Sequence, residues 1–228
     1  MHIKKIIAQT TALKELAEFY KGDMQLPVEL TGDKEITIRI GSTDLLFKEA
    51  NAADPFYHFA FNIPANKIQE AKDWLQKRVE LIWIEQYQSE IADFTGWHAK
   101  SVYFYDPAGN ILELIARSDL DNSSDEPFSS KQFLYVSEVG LVFKEDELDK
   151  KTELLLKKYN LSYFDKQQPL PQFKAIGDDE GLFIVVPENR NWYLTTKPAR
   201  QFPMQLWFRV KEKEYELSLV PFASLRSQ

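Results

Sequence analysis

Apolar positions along this chain fall into short alternating runs interrupted by a few stretches of helical spacing. Residues 3–9 read as a strand. In 11–20, Leu13, Leu16, Ala17 and Tyr20 share one helical face, Thr10 or Thr11 can cap it, and Gly22 follows as a stop. Three short strands are predicted next, at 26–30, 35–40 and 43–48, with Gly32-Asp33 and Gly41-Ser42 as turns. The order then restarts. Residues 56–63 are strand-like, and 65–78 place Ile68, Ala71, Leu75 and Trp74 on one helical face. Strands are expected near 81–86, 101–105 and 111–116. Strand, helix and three strands therefore occur twice, at a period of roughly 55 residues.

Residues 118–131, rich in Ser, Asp and Pro, have linker composition. Beyond them the order begins a third time. Glu138 to Phe143 reads as a strand, 146–159 as an amphipathic helix, and 172–177 with 181–186 as a hairpin. Two further strands, 204–210 and 214–220, lack a helix between them and read as a degenerate fourth module. The expected division is two paired modules over 1–117, a linker over 118–131, and a third module plus the degenerate fourth over 132–228. The class is α+β: paired βαβββ modules forming open, barrel-like curved sheets with helices outside.

The densest chemical signal lies in Ser101 to Arg117. Asp106-Pro107-Ala108-Gly109-Asn110 is a turn by its residue chemistry. The strand after it is apolar except for Glu113. A carboxylate in such a strand is costly unless something pairs with it. Its partner is therefore the functional question.

The repeat, Phe19-Tyr20 closing the first helix, and the run Tyr103-Phe-Tyr-Asp-Pro-Ala-Gly-Asn-Ile-Leu-Glu-Leu114 resemble the vicinal oxygen chelate superfamily. That group includes glyoxalase I, extradiol ring-cleaving dioxygenases, fosfomycin-resistance enzymes and bleomycin-resistance proteins. The resemblance is specific over 3–117 and looser over 136–220. It implies two modules closing around a cavity, with a divalent metal held by residues of their first and last strands. His58 and Glu113 fall on two of the superfamily's ligand positions. Lys5 falls where another His is expected, and the region Leu45 to Phe47 is apolar where a fourth ligand would stand. The metal implied is Fe, Mn, Ni or Zn, or none, because a protonated ammonium binds no cation. Homodimers are a further implication of the resemblance.

Strand alternation supports a common surface. With His58 inward, Ala60 and Asn62 share its face, while Phe59, Phe61 and Ile63 face the helices. With Glu113 inward, Ile111 and Ile115 follow it, and Leu112 and Leu114 turn away. Lys5 would join this surface and either pair with Glu113 or stand in for a metal; within about 4 Å it would keep the acid ionised. Lys5, His98 and Tyr103 are the candidate ligand-binding residues, with Trp97 and Tyr105 as further aromatic wall candidates. Gln9 or His98 would supply a third metal donor only in a different register.

Three functions fit these residues: a metal-dependent lyase, isomerase or ring-cleaving dioxygenase using His58 and Glu113; a metal-free protein binding a small organic molecule; and a scaffold. No catalytic residue stands out. The formal charge of −7 argues against nucleic acid, which is gripped by clustered Lys and Arg. With no cysteine, disulfide and thiolate chemistry are excluded. No apolar run reaches membrane-spanning length, and the N-terminus has no signal-peptide pattern. The expected location is the cytoplasm.

Overall fold

The computed structural model describes residues 1–50 and 54–220. Among the described residues, thirteen strands and three α-helices follow the predicted order. The first module contains β1 (His2–Thr10), α1 (Leu13–Glu18), β2 (Val28–Leu30), β3 (Glu35–Ile40) and β4 (Thr43–Glu49). The second contains β5 (His58–Ile63), α2 (Ile68–Leu75), β6 (Ile91–Phe94), β7 (Ala99–Tyr105) and β8 (Ile111–Arg117). The third has β9 (Tyr135–Phe143), α3 (Leu148–Tyr159), β10 (Lys174–Asp178) and β11 (Gly181–Pro187). The last hairpin is β12 (Gln205–Val210) with β13 (Lys213–Ser218).

One strand was misplaced by the hydrophobic pattern. Residues 81–86 make only isolated bridges at Leu81 and Ile84, and the sheet edge is instead β6. Trp83 stands 51% exposed there, so its apolar character marks no strand core. The first helix is also shorter than expected, because Phe19–Asp23 winds into a π-turn.

The modules associate differently from the expected pairing. Strand order in one sheet is β13-β12-β1-β4-β3-β2, and in the other β10-β11-β9-β5-β8-β7-β6. The first module thus shares a sheet with the last hairpin, and the second with the third. In each sheet two first-position strands meet antiparallel, β1 with β12 and β5 with β9. Each is also paired in parallel with the last strand of its own module, β1 with β4 and β5 with β8.

The apolar faces of both sheets share one core. Ile6, Phe47 and Phe208 from the first sheet join Phe59, Leu112 and Phe183 from the second, all 0–1% exposed. Removing an aromatic side chain of this size from water contributes about 1.5–3 kcal/mol. Phe183 and Phe208 meet edge-to-face at 5.1 Å, pinning sheet to sheet. Residues 118–131 do not hang free. Asn122 and Ser124 bond the start of the α2 segment at Ala65 and Asn66, and Phe128 packs on Trp74. The opposite face of the second sheet is hollow, and the site lies there.

Candidate functional site

The row of side chains across the middle of the hollow is set by register. Leu182, Glu138, Ala60, Glu113 and Tyr103 stand side by side on β11, β9, β5, β8 and β7. Side chains directly opposite one another share a face. Ala60 is small, which leaves room for the two acids flanking it. His58 lies two residues before Ala60 on the same face.

His58, Glu113 and Glu138 each offer one ligand atom, and these atoms lie within 4.8 Å of one another. His58 Nδ1 donates to the Ile111 carbonyl at 3.1 Å. That fixes the ring and leaves Nε2 with its lone pair, 3.7 Å from Glu113 Oε2. Burial pushes the imidazole down to about 4, partly opposed by the Ile111 bond, so it is neutral at physiological pH. Glu113 is pushed up to about 8, first by burial and then by the nearby Glu138 charge. Burial raises Glu138 as well, and the Arg117 guanidinium pulls it back.

Arg117 is completely buried and bonds Glu138 and, at 3.5 Å, Asp179. Asp179 also bonds Lys166 at 2.6 Å, Lys166 bonds Asp119 at 2.8 Å, and Asp119 bonds His98 at 2.8 Å. A chain of ion pairs therefore runs from the hollow to the surface. Of the two acids in the hollow only Glu138 bonds the guanidinium, so Glu113 has no bonded cation when both ionise. A divalent cation fits this set: one fixed neutral imidazole, two carboxylates, and a charge deficit.

The structure brings together His58, Glu113 and Tyr103 of the residues chosen from sequence. Tyr103 is 5% exposed and lines the cavity beside Glu113. Lys5 and His98 are elsewhere. Lys5 lies in the other sheet, between Asp44 and Trp207 in register, with Nζ 5.3 Å from the Trp207 ring. No Lys5–Glu113 pair forms, because β1 and β8 are hydrogen-bonded into different sheets. His98 sits at the surface end of the ion-pair chain, in a left-handed turn with φ 51°. Gln9 supplies its backbone N–H to Tyr57 rather than a side chain to the site. Tyr105 is half-exposed under Lys197, whereas Trp97 does line the cavity.

Sequence reading missed Glu138. The signal was the one that singled out Glu113: an acid inside an otherwise apolar strand. From sequence, Asn189 to Tyr193 reads as a loop folding over a neighbouring domain with no chemistry attached, and in the structure it is part of the connection between β11 and β12. It lays Trp192 against His58, ring centroids 5.3 Å apart. Gly140 on β9 makes this possible, since a Cβ there would stand 2.4 Å from the Trp192 ring. The resulting cavity has a volume of about 180 Å³ and aromatic walls.

No family model and no curated protein matches the sequence. Solved structures do match. One is a Bacillus subtilis protein described as an inferred dioxygenase, 16% identical, covering 96% of this chain and 84% of that one, with a TM-score of 0.60. Another is glyoxalase I from Zea mays, 12% identical, covering 96% of this chain and 72% of that one, with a TM-score of 0.52. At such identities the likeness speaks for architecture, and it agrees with the module order derived above: the chain has the fold of the vicinal oxygen chelate superfamily.

Proposed function

We propose that the hollow of the second sheet holds one divalent metal on His58, Glu113 and Glu138 and binds a small organic molecule against it. The observation that supports this reading is the convergence of three buried donor atoms within 4.8 Å. A bound ion would polarise an oxygen of the molecule as a Lewis acid. The protein's own residues prepare for that. Ile111 fixes the His58 tautomer through Nδ1. Arg117 orients Glu138. Glu113, raised to about 8, would have to give up its proton to hold a cation. The aromatic walls suit a flat apolar body.

Elemental analysis of protein loaded with Fe, Mn, Ni or Zn tests the reading. One equivalent of metal is expected in the parent. Glu113→Gln should lose the metal while melting as a folded protein. An absence of stoichiometric metal under every loading condition would sink it. That outcome would favour a metal-free binding protein, a reading to which Arg117 lends support as a built-in cation beside Glu138.

A further inference from the structure

The loop that covers the cavity carries a cation that the metal reading does not use. Arg190 belongs to the segment between β11 and β12, and its backbone is fixed. Its carbonyl accepts from Ala199 N–H at 2.8 Å, and Asn189 N–H donates to the Ala199 carbonyl at 2.9 Å. Lys197 pins the same loop by donating to the Gly109 carbonyl at 2.7 Å. Tyr193 pins it again by accepting from Gln86 at 2.8 Å. The loop therefore holds Arg190 at the cavity wall.

The guanidinium there is underused. Its Nη1 donates to the Asn191 carbonyl at 3.3 Å, and its carbon lies 5.5 Å from the Phe173 ring. Among the described residues no carboxylate comes within ion-pair distance of it, in contrast to Arg117, which holds two. Burial pushes its pKa down, and no neighbouring acid opposes that. A guanidinium presents five donors in a planar fork, and this fork matches a carboxylate. Most of that fork is free.

The rest of the cavity limits what the fork can receive. Its walls are Phe94, Trp97, Tyr103, Phe173, Trp192 and Tyr193. Its volume is about 180 Å³, and a cavity of roughly 150 Å³ admits a benzene ring. Of the two acids inside, Glu138 is paired with Arg117, and Glu113 stands 3.7 Å from the neutral His58 ring.

We infer that Arg190 is the specificity residue of the cavity and that the ligand is a compact organic acid, one flat ring bearing a carboxylate that Arg190 receives. This rests on the cavity being the ligand site proposed above. It does not require the metal to be present.

Benzoate and its neutral counterpart benzyl alcohol are the probes, titrated calorimetrically into metal-free and Zn-loaded full-length protein. The parent should bind benzoate about tenfold or more tightly than benzyl alcohol, the scale of a hydrogen-bonded charge. Arg190→Gln should abolish that preference, and Arg190→Lys should restore part of it. Thermal melting of both variants verifies folding, and the parent comparison stands without them. Equal affinities in the parent overturn the inference, as does no benzoate binding in either form. A preference that needs Zn but survives Arg190→Gln also overturns it, since the carboxylate then sits on the metal. A preference that depends on Arg190 in protein taking up no metal supports the inference while the metal reading fails.

Discussion

The two sheets are built alike and carry opposite chemistry. In each, two first-position strands meet at the centre, and the last strand of a full module flanks them. One row taken from each shows the difference. Across the first sheet the row is Glu216, Trp207, Lys5, Asp44 and Arg39. Across the second it is Leu182, Glu138, Ala60, Glu113 and Tyr103. The first row alternates in sign and meets water, with Arg39 and Glu216 exposed. The second lies beneath the β11–β12 loop and sets two buried acids side by side. The same strand geometry makes a solvated face where nothing covers it and a buried acidic pocket where a loop does. What separates the two sheets of this chain is cover.

The largest way to test that contrast is to remove the cation on each side. Arg117→Leu leaves Glu138 and Asp179 without their buried partner, and a loss of about 3–5 kcal/mol is expected. Arg39→Ala breaks the 3.0 Å pair with Asp44, whose arginine is 54% exposed, and should cost about 0–1 kcal/mol. Urea unfolding of both variants measures the gap; equal losses would deny that burial separates the sheets.

Metal uptake should separate the sheets nearly as sharply. Glu138→Gln is expected to weaken Zn binding by about a hundredfold or more, while Lys5→Ala leaves it unchanged. A chelator competition titration reads both. A strong effect of Lys5→Ala would restore the first sheet to the site.

Glycine replacements give a smaller contrast. Gly140→Ala must push Trp192 off His58 and should cost about 1–3 kcal/mol. Gly22→Ala, with nothing within 4 Å of its added Cβ, should be neutral or slightly stabilising. Trp fluorescence should shift in the first variant alone.

The smallest effect is in pH dependence. Glu113 is raised from its ordinary 4.5 to about 8 in the fold, so the folded state holds that proton longer than the unfolded chain. Its contribution is present at low pH and is lost as pH rises toward 8. His58, lowered from 6.5 to about 4, works the other way, losing stability as pH falls below 6.5. Between pH 6.5 and 8 the Glu113 slope stands alone of the two. Metal-free protein should melt lower at pH 8 than at 6.5. Bound metal or Glu113→Gln should flatten the difference, and an unchanged slope in Glu113→Gln would place the titration elsewhere.

The sequence by itself determined the local pieces. Alternation placed His58 and Glu113 on inward faces and Phe59, Phe61, Leu112 and Leu114 in the core, because side-chain direction in a strand follows from the backbone alone. The repeat likewise followed from the spacing of apolar residues. It could not determine which module would lie beside which. Strand edges offer the same N–H and C=O groups whatever their side chains, so β5 was open to β1 or to β9 as far as local pattern goes. Only the shared core, where Phe183 meets Phe208, decided the choice. That choice put Glu138 rather than Lys5 beside Glu113, and it brought Trp192 and Arg190 over them from a loop that local pattern identifies but to which it assigns no chemistry.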